Sequence, residues 1–305
     1  MQENNKEVTV TLTEEIVAPF TKKEVYEATL KYFKGDSLAA NVWIDKYCLK
    51  NKEGYYLELN PDDMHKRLAK EFARIELKYP NPLSYEEIYS LLSNFRYIIP
   101  GGSILYGAGN PYSISSLGNC FVIGNQSDSY GGICTTDQEQ VQLMKYRAGV
   151  GHDLSHLRPA KATVSNAAGT STGAVSFMPR YSHSTREVAQ DGRRGALMLS
   201  IDINHPDSES FITSKDDLSK ITGANISVKI TDEFMKDVEE GISVIYKHKW
   251  GNYLSNPKKL WNKLIHQAWK SAEPGLLYWD TITRESIPSC YGEEWEETST
   301  NPCGR

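Results

Sequence analysis

No stretch of this sequence approaches the roughly 20 consecutive apolar residues of a membrane span. The N-terminus, MQENNKEVTVTLTEE, is polar and acidic and has no apolar signal core, so a cytoplasmic protein without membrane contact is expected. An excess of positive charge is missing as well. With 34 basic and 39 acidic residues the net charge is -5, which argues against direct nucleic-acid binding and requires that any anionic ligand be held by local groups. Cysteine is sparse: Cys48, Cys120, Cys134, Cys290 and Cys303 are odd in number and widely spaced. That pattern fits neither a secreted disulfide framework nor a CxxC metal site, and it leaves redox or radical chemistry open. His152 and His156 stand four residues apart, but no carboxylate or cysteine accompanies them at metal-site spacing, so no bound metal is expected. Exact repeats and low-complexity tracts are absent too.

What is present is a chain of 305 residues, 39% hydrophobic, with a change of character near residue 100. We expect two units, a mostly helical N-terminal domain over 1–100 and an α/β unit over 101–305. In the first, Thr21 precedes KKEVYEATLKYF as an N-cap. MHKRLAKEFARIELKY places Leu68, Phe72 and Ile75 on one face, and Ser84 with Glu87 forms a capping box before IYSLLSNF. In the second, CFVIG is followed by TTDQEQVQLMKYR, GALMLSI by DSESFITSK, and ISVKI by TDEFMKDVEEG. Strand and helix alternate in this way when parallel strands form an α/β core.

Several loops carry chemistry-capable groups. Arg147-Ala148-Gly149-Val150-Gly151 follows a predicted helix, where its glycines serve either as a C-cap or as a close approach to a ligand. Arg158, Arg193 and Arg194 offer guanidinium forks for phosphate. The small, hydroxylated run from Ser165 to Ala174 suits a nucleotide-binding loop better than a core element, and Lys215–Gly223 is a second loop joining a helix to a strand. The last residues, Asn301-Pro302-Cys303-Gly304-Arg305, form a Pro-Cys-Gly turn that suits an exposed thiol, either reactive or an ordinary surface cysteine. No capped helix or polar tail closes the chain, so Arg305 is expected to be an internal point of a longer protein.

Eight segments together resemble the catalytic subunit of ribonucleotide reductase, most closely its adenosylcobalamin-dependent class II: LAANVWIDKYCLK at 38–50, SLGNCFVIG at 116–124, AGVGHDLSHLRP at 148–159, STGAVSFM at 171–178, RRGALMLSIDINHPD at 193–207, ITGANISVKITDEFM at 221–235, EPGLLYWDT at 273–281 and TNPCG at 300–304. The resemblance implies an α/β fold: a helical N-terminal domain, then the first half of a ten-stranded α/β barrel ending at the finger loop.

It also implies thiyl-radical reduction of a ribonucleotide substrate to the deoxy form, with adenosylcobalamin as cofactor. Cys303 takes the place of the thiyl cysteine that removes the 3′ hydrogen, with Asn301 hydrogen-bonding near it. Cys120 takes that of the reducing thiol, whose disulfide partner belongs to the second half-barrel. Ser103, Asn119, Ala148 and Gly149 fall at substrate contacts. Asp128 and Arg158 fall where a deoxynucleotide effector is held, with residues 162–172 and 215–223, including Lys220, as specificity loops. A thioredoxin-like reductant, a complementary C-terminal half if the gene is split, and a homodimer are the implied partners.

Where this family has a glutamate as general base after the Cys-Gly pair, the chain has Arg305, which cannot accept a proton. Foreign sequence at a fragment boundary or decay of the chain would account for it, and the isolated chain is expected to be inactive. A class I large-subunit fragment, or a nucleotide-binding or assembly fragment without catalysis, are the alternatives.

Overall fold

The computed structural model describes residues 19–124, 127–188 and 195–303; Arg193, Arg194, Gly304 and Arg305 lie outside them. Two compact units divide the chain, one comprising Met1–Pro100 with Ala108–Ser113, the other Gly101–Gly107 with Ile114–Arg305.

Among the described residues the first unit has four α-helices, α1 (Lys22–Tyr32), α2 (Ser37–Lys46), α3 (Pro61–Glu76) and α4 (Tyr85–Leu92). Their starts are written in the sequence. Thr21 and Glu24 satisfy each other's end of α1 in a capping box, and Ser84 and Glu87 do the same for α4. Asn60 caps α3 and Pro61 occupies its first position, where a missing N–H costs nothing. Met64, Leu68 and Ala69 of α3 are fully buried, and the Trp43 indole N–H of α2 donates to Met64 Sδ at 3.3 Å. Beneath them the buried Glu58 carboxylate accepts from Arg67 Nε at 2.7 Å and from the Leu49 amide at 2.8 Å, which gives an otherwise costly internal charge its partners.

The second unit opens with α5 (Gly102–Gly107) and then alternates strand and helix: β1 (Cys120–Val122), α6 (Tyr130–Met144), β2 (Gly149–Asp153), α7 (Met178–Glu187), β3 (Leu197–Asp202), α8 (Ser208–Ile212), β4 (Asn225–Ile230) and α9 (Asp232–Glu240). A hairpin of β5 (Val244–His248) and β6 (Gly251–Ser255) follows, then α10 (Pro257–Ser271), β7 (Gly275–Tyr278) and α11 (Trp279–Glu285). Among the described residues the main sheet runs β1-β2-β3-β4-β7, every neighbouring pair parallel, with β1 and β7 at its edges. The sheet is open, as the first half of a barrel would be.

Side chains alternate across a strand, so register decides the chemistry of each face. One face presents Val150, Leu197, Leu199, Ile201, Ile226, Val228 and Ile230, all buried in a core shared with Ile133 and Met144 of α6, Tyr181 of α7, Phe234 of α9 and Leu264 of α10. At roughly 1.5–3 kcal/mol for each fully buried aliphatic side chain, this layer supplies the driving force for the unit. The opposite, inner face carries Cys120, Gly149, Gly151, Asp153, Ser200, Asp202, Ser227 and Lys229 in register. Val122, Met198 and Leu277 stand on that face as well, so it mixes small and polar residues with apolar ones.

His152 sits on the core face of β2, an element the sequence reading had treated as a loop after α6. Its Nε2 lies 3.1 Å from Gln140 Oε1 and its ring packs edge-on against Tyr181, with ring centres 4.5 Å apart. Complete burial pulls its pKa from 6.5 down to about 3. Between those values the unfolded chain takes up a proton that the folded chain refuses, so stability falls as pH drops through the window, by up to about 1.4 kcal/mol per pH unit. Urea unfolding at pH 7, 5 and 4 should show this loss in the parent protein and a shallower one in His152→Gln. Equal slopes would mean that His152 is already charged in the fold.

Candidate active site

Cys120 begins β1 on the inner face, and the segment 298–303 returns across that face to bring Cys303 beside it, with the two sulfurs 3.6 Å apart. Neither is in a disulfide; Cys303 is exposed and Cys120 half-buried, while Cys134 is exposed on α6. The turn that presents Cys303 is locally fixed: Asn301 Oδ1 accepts the Cys303 N–H at 3.1 Å, an Asx-type turn in which Pro302 sets its own φ. Asn301 thus shapes the loop that holds the thiol.

The two glycines of β2 explain how the segment comes so close. A β carbon on Gly149 would stand 3.0 Å from Pro302 Cγ and 3.1 Å from Cys120 Sγ, and one on Gly151 would overlap the Thr300 carbonyl. Gly149-Val150-Gly151, expected from the sequence as a loop after the helix, is a strand whose inner positions are bare where the protein's own cysteine-bearing segment crosses.

Around the pair, the Gly149 N–H donates to the Asn119 carbonyl at 2.8 Å, and Asn119 Oδ1 accepts the Ser103 N–H at 2.8 Å. Ser103 is 1% exposed, and its hydroxyl has no hydrogen-bond partner among the described residues, so it is available to a bound polar group. Ala148 is fully buried at the foot of β2, its N–H donating to the Leu143 carbonyl at 3.2 Å. Ser103, Asn119, Cys120, Gly149, Asn301 and Cys303 are therefore joined in one neighbourhood by these contacts.

A second cluster joins two of the three candidate effector residues, Asp128 and Arg158. Arg158 Nε donates to Asp128 Oδ2 at 2.6 Å and its backbone N–H to Asp128 Oδ1 at 3.0 Å, while Nη1 reaches the Thr163 carbonyl at 3.3 Å. The loop this arginine touches is self-supported: Thr163 and Thr170 form an antiparallel bridge, and the Asp207 carboxylate accepts the N–H groups of Ala160 and Ala174 at the loop's two ends. Lys220, on the second loop, is exposed and lies 3.7 Å from Asp217 of that same loop.

Set against known protein families, residues 118–304 match the barrel domain of ribonucleotide reductase, and residues 33–113 match its all-alpha domain. The chain belongs to the ribonucleotide reductase family. A vitamin B12-dependent ribonucleoside-diphosphate reductase of Thermoplasma acidophilum is 34% identical over 225 residues, covering 72% of this chain and 28% of that protein. One from Mycobacterium tuberculosis is 32% identical over 278 residues, covering 88% of this chain and 39% of its own length. The ribonucleoside-diphosphate reductase large chain of Neurospora crassa is 26% identical over 237 residues, covering 66% and 24%. The chain thus spans well under half the length of these relatives.

Sequence reading missed the groups beneath the cysteine segment. Asp153 Oδ2 lies 2.9 Å from Lys229 Nζ and accepts the Ser200 hydroxyl at 2.9 Å, and Lys229 Nζ also reaches the Thr298 carbonyl at 3.3 Å. The available signal was a lysine inside the strand NISVKI, flanked by Val228 and Ile230, which face the core.

Proposed function

We propose that this chain is the N-terminal part of a cobalamin-dependent ribonucleotide reductase that converts ribonucleotides to deoxyribonucleotides by thiyl-radical chemistry. The observation that carries the proposal is the meeting of two thiols, neither in a disulfide, 3.6 Å apart on the inner face of a parallel sheet. Cys303 is the thiol that, as a thiyl, takes the substrate's 3′ hydrogen; Cys120 is the reducing thiol that delivers a proton to the departing 2′-hydroxyl. Ser103, with its unpartnered hydroxyl, and Asn119 are assigned to the substrate side, together with Ala148 and Gly149. Asn301 keeps the Cys303 turn in shape.

An exposed thiol at the tip of a short turn fits a radical source that must approach it from outside the sheet. Adenosylcobalamin, when bound, would supply that radical. The remaining barrel strands, the second redox cysteine and a general base would come from sequence beyond this chain, on the same or a separate polypeptide, and a thioredoxin-like protein would restore the thiols. Asp128, Arg158 and the loops at 162–172 and 215–223, with Lys220, are assigned to a deoxynucleotide effector, and a homodimer in the cytoplasm is the setting we favour. Among the described residues no helix is long and apolar enough to cross a membrane.

Deoxynucleotide formation by a complete reductase carrying this chain, assayed with dithiothreitol in the presence and absence of adenosylcobalamin, tests the reading. Product should appear only with the cofactor, and the isolated chain should form none. Turnover that needs a second, radical-generating subunit instead would favour the class I reading, which the Neurospora likeness supports at lower identity.

A further inference from the structure

The segment that carries Cys303 is held by more than its own turn. Ser299 and Thr300 are 5% and 6% exposed, buried against a sheet face that offers charge as well as contact. Ser200 has one hydroxyl hydrogen, and it points at the acceptor-only Asp153 carboxylate 2.9 Å away. Ser299 Oγ, 2.9 Å from Ser200 Oγ, is then the donor in that pair, in preference to the longer 3.4 Å contact to the Thr300 carbonyl. On the other side Lys229 Nζ, 2.9 Å from the same Asp153 oxygen, donates to the Thr298 carbonyl at 3.3 Å and stands 4.5 Å from the centre of the Trp279 ring.

The contacts form a closed chain: Ser299 to Ser200 to Asp153, Asp153 to Lys229, and Lys229 back to Thr298. Three strands, β2, β3 and β4, thereby grip two consecutive residues just ahead of the cysteine turn. The side chains of Lys229 and Asp153 are 8% and 2% exposed. A buried ion pair of this kind contributes little net stability compared with apolar residues of similar volume, so fold stability alone is a poor reason for its presence.

We infer that Lys229 and Asp153, acting through Ser200 and Ser299, are positioning residues for Cys303. The pair fixes the height of the 298–300 backbone above the sheet, and the Asn301–Pro302 turn then projects the thiol to Cys120. This rests on the reading of Cys303 as the radical thiol, yet it can be measured without turnover. Sulfurs 3.6 Å apart need to close by only about 1.5 Å to reach disulfide distance, so the tendency of Cys120 and Cys303 to join reports their relative placement.

The experiment uses this chain with Cys134→Ser and Cys290→Ser, equilibrated in glutathione buffers. One oxidised glutathione takes two electrons and two protons from the cysteine pair, giving one protein disulfide and two reduced glutathiones, and the equilibrium constant is the pair's effective molarity. The double replacement Asp153→Leu with Lys229→Met should leave the melting temperature unchanged or raised while lowering the effective molarity at least about tenfold, a factor that corresponds to ~1.4 kcal/mol. Ser299→Ala, which removes only the loop-side hydroxyl, should lower it about threefold at an unchanged melting temperature, and Ser299→Thr should restore it.

A folded double variant with the parent's effective molarity would overturn the inference. If the double variant does not fold, Ser299→Ala decides: an effective molarity equal to the parent's overturns the inference equally. Because no nucleotide or cofactor takes part, failure here leaves the assignment of the reductase reaction standing, and failure of that assignment leaves this result readable.

Discussion

Serine in place of Cys303 should abolish nucleotide reduction in a complete reductase carrying this chain, while serine in place of Cys120 should block product formation at a later point. The two replacements are chemically alike, and the difference lies in what each sulfur does. An alcohol O–H bond is far stronger than a thiol S–H, so the hydroxyl introduced by Cys303→Ser cannot be converted to the radical that takes the 3′ hydrogen. An added barrier of about 7 kcal/mol is already a loss of about 10⁵ in rate. In the proposed mechanism Cys120, 3.6 Å from Cys303, is needed only after that abstraction, as donor of a proton and electrons. Deoxynucleotide product should fall below detection in both variants, with substrate affinity unchanged in each. Product formation by Cys303→Ser above one part in about a thousand of the parent would remove Cys303 from its assigned role.

The second large effect is expected from a single methyl group. Gly151→Ala places a β carbon over the Thr300 carbonyl, so the cysteine segment must lift by roughly an ångström to relieve the overlap. Placement errors of that size cost about 10² in rate when they fall on a reacting group. The variant should therefore lose two orders of magnitude in kcat. The far-ultraviolet dichroism of the sheet should persist, because the core face with Val150, Leu199 and Val228 is untouched. A kcat within threefold of the parent would mean that the segment does not rest on β2 during turnover.

Much of the fold was legible in the sequence because it depends on local rules. Thr21, Ser84 and Glu87 cap helices through neighbours three residues away, and CFVIG, GALMLSI and ANISVKI read as strands from composition and from the helices that follow them. GVGHD did not read as a strand: two glycines lower strand propensity, and their purpose appears only when Thr300 and Pro302 arrive from the far end of the chain. The hairpin of β5 and β6 likewise went unremarked.

The cysteine pair came from the resemblance, for nothing in the spacing of residues 120 and 303 implies contact. Lys229 and Asp153 were illegible for a further reason. Strand alternation assigns them to the face away from the helices, but whether that face meets water or protein is decided by a segment folded back over it. Their own positions in sequence carry no sign of it.

Cys303, and not Cys120, is proposed to remove the 3′ hydrogen. A ribonucleotide tritiated at C3′ tests it in the complete reductase. Transfer to the Cys303 sulfur turns the label into an S–H hydrogen, which exchanges with water. Cys120→Ser, although it makes no deoxynucleotide, should still release tritium to the solvent, whereas Cys303→Ser should release none. Tritium release by Cys303→Ser but not by Cys120→Ser would contradict this assignment and reverse the two roles.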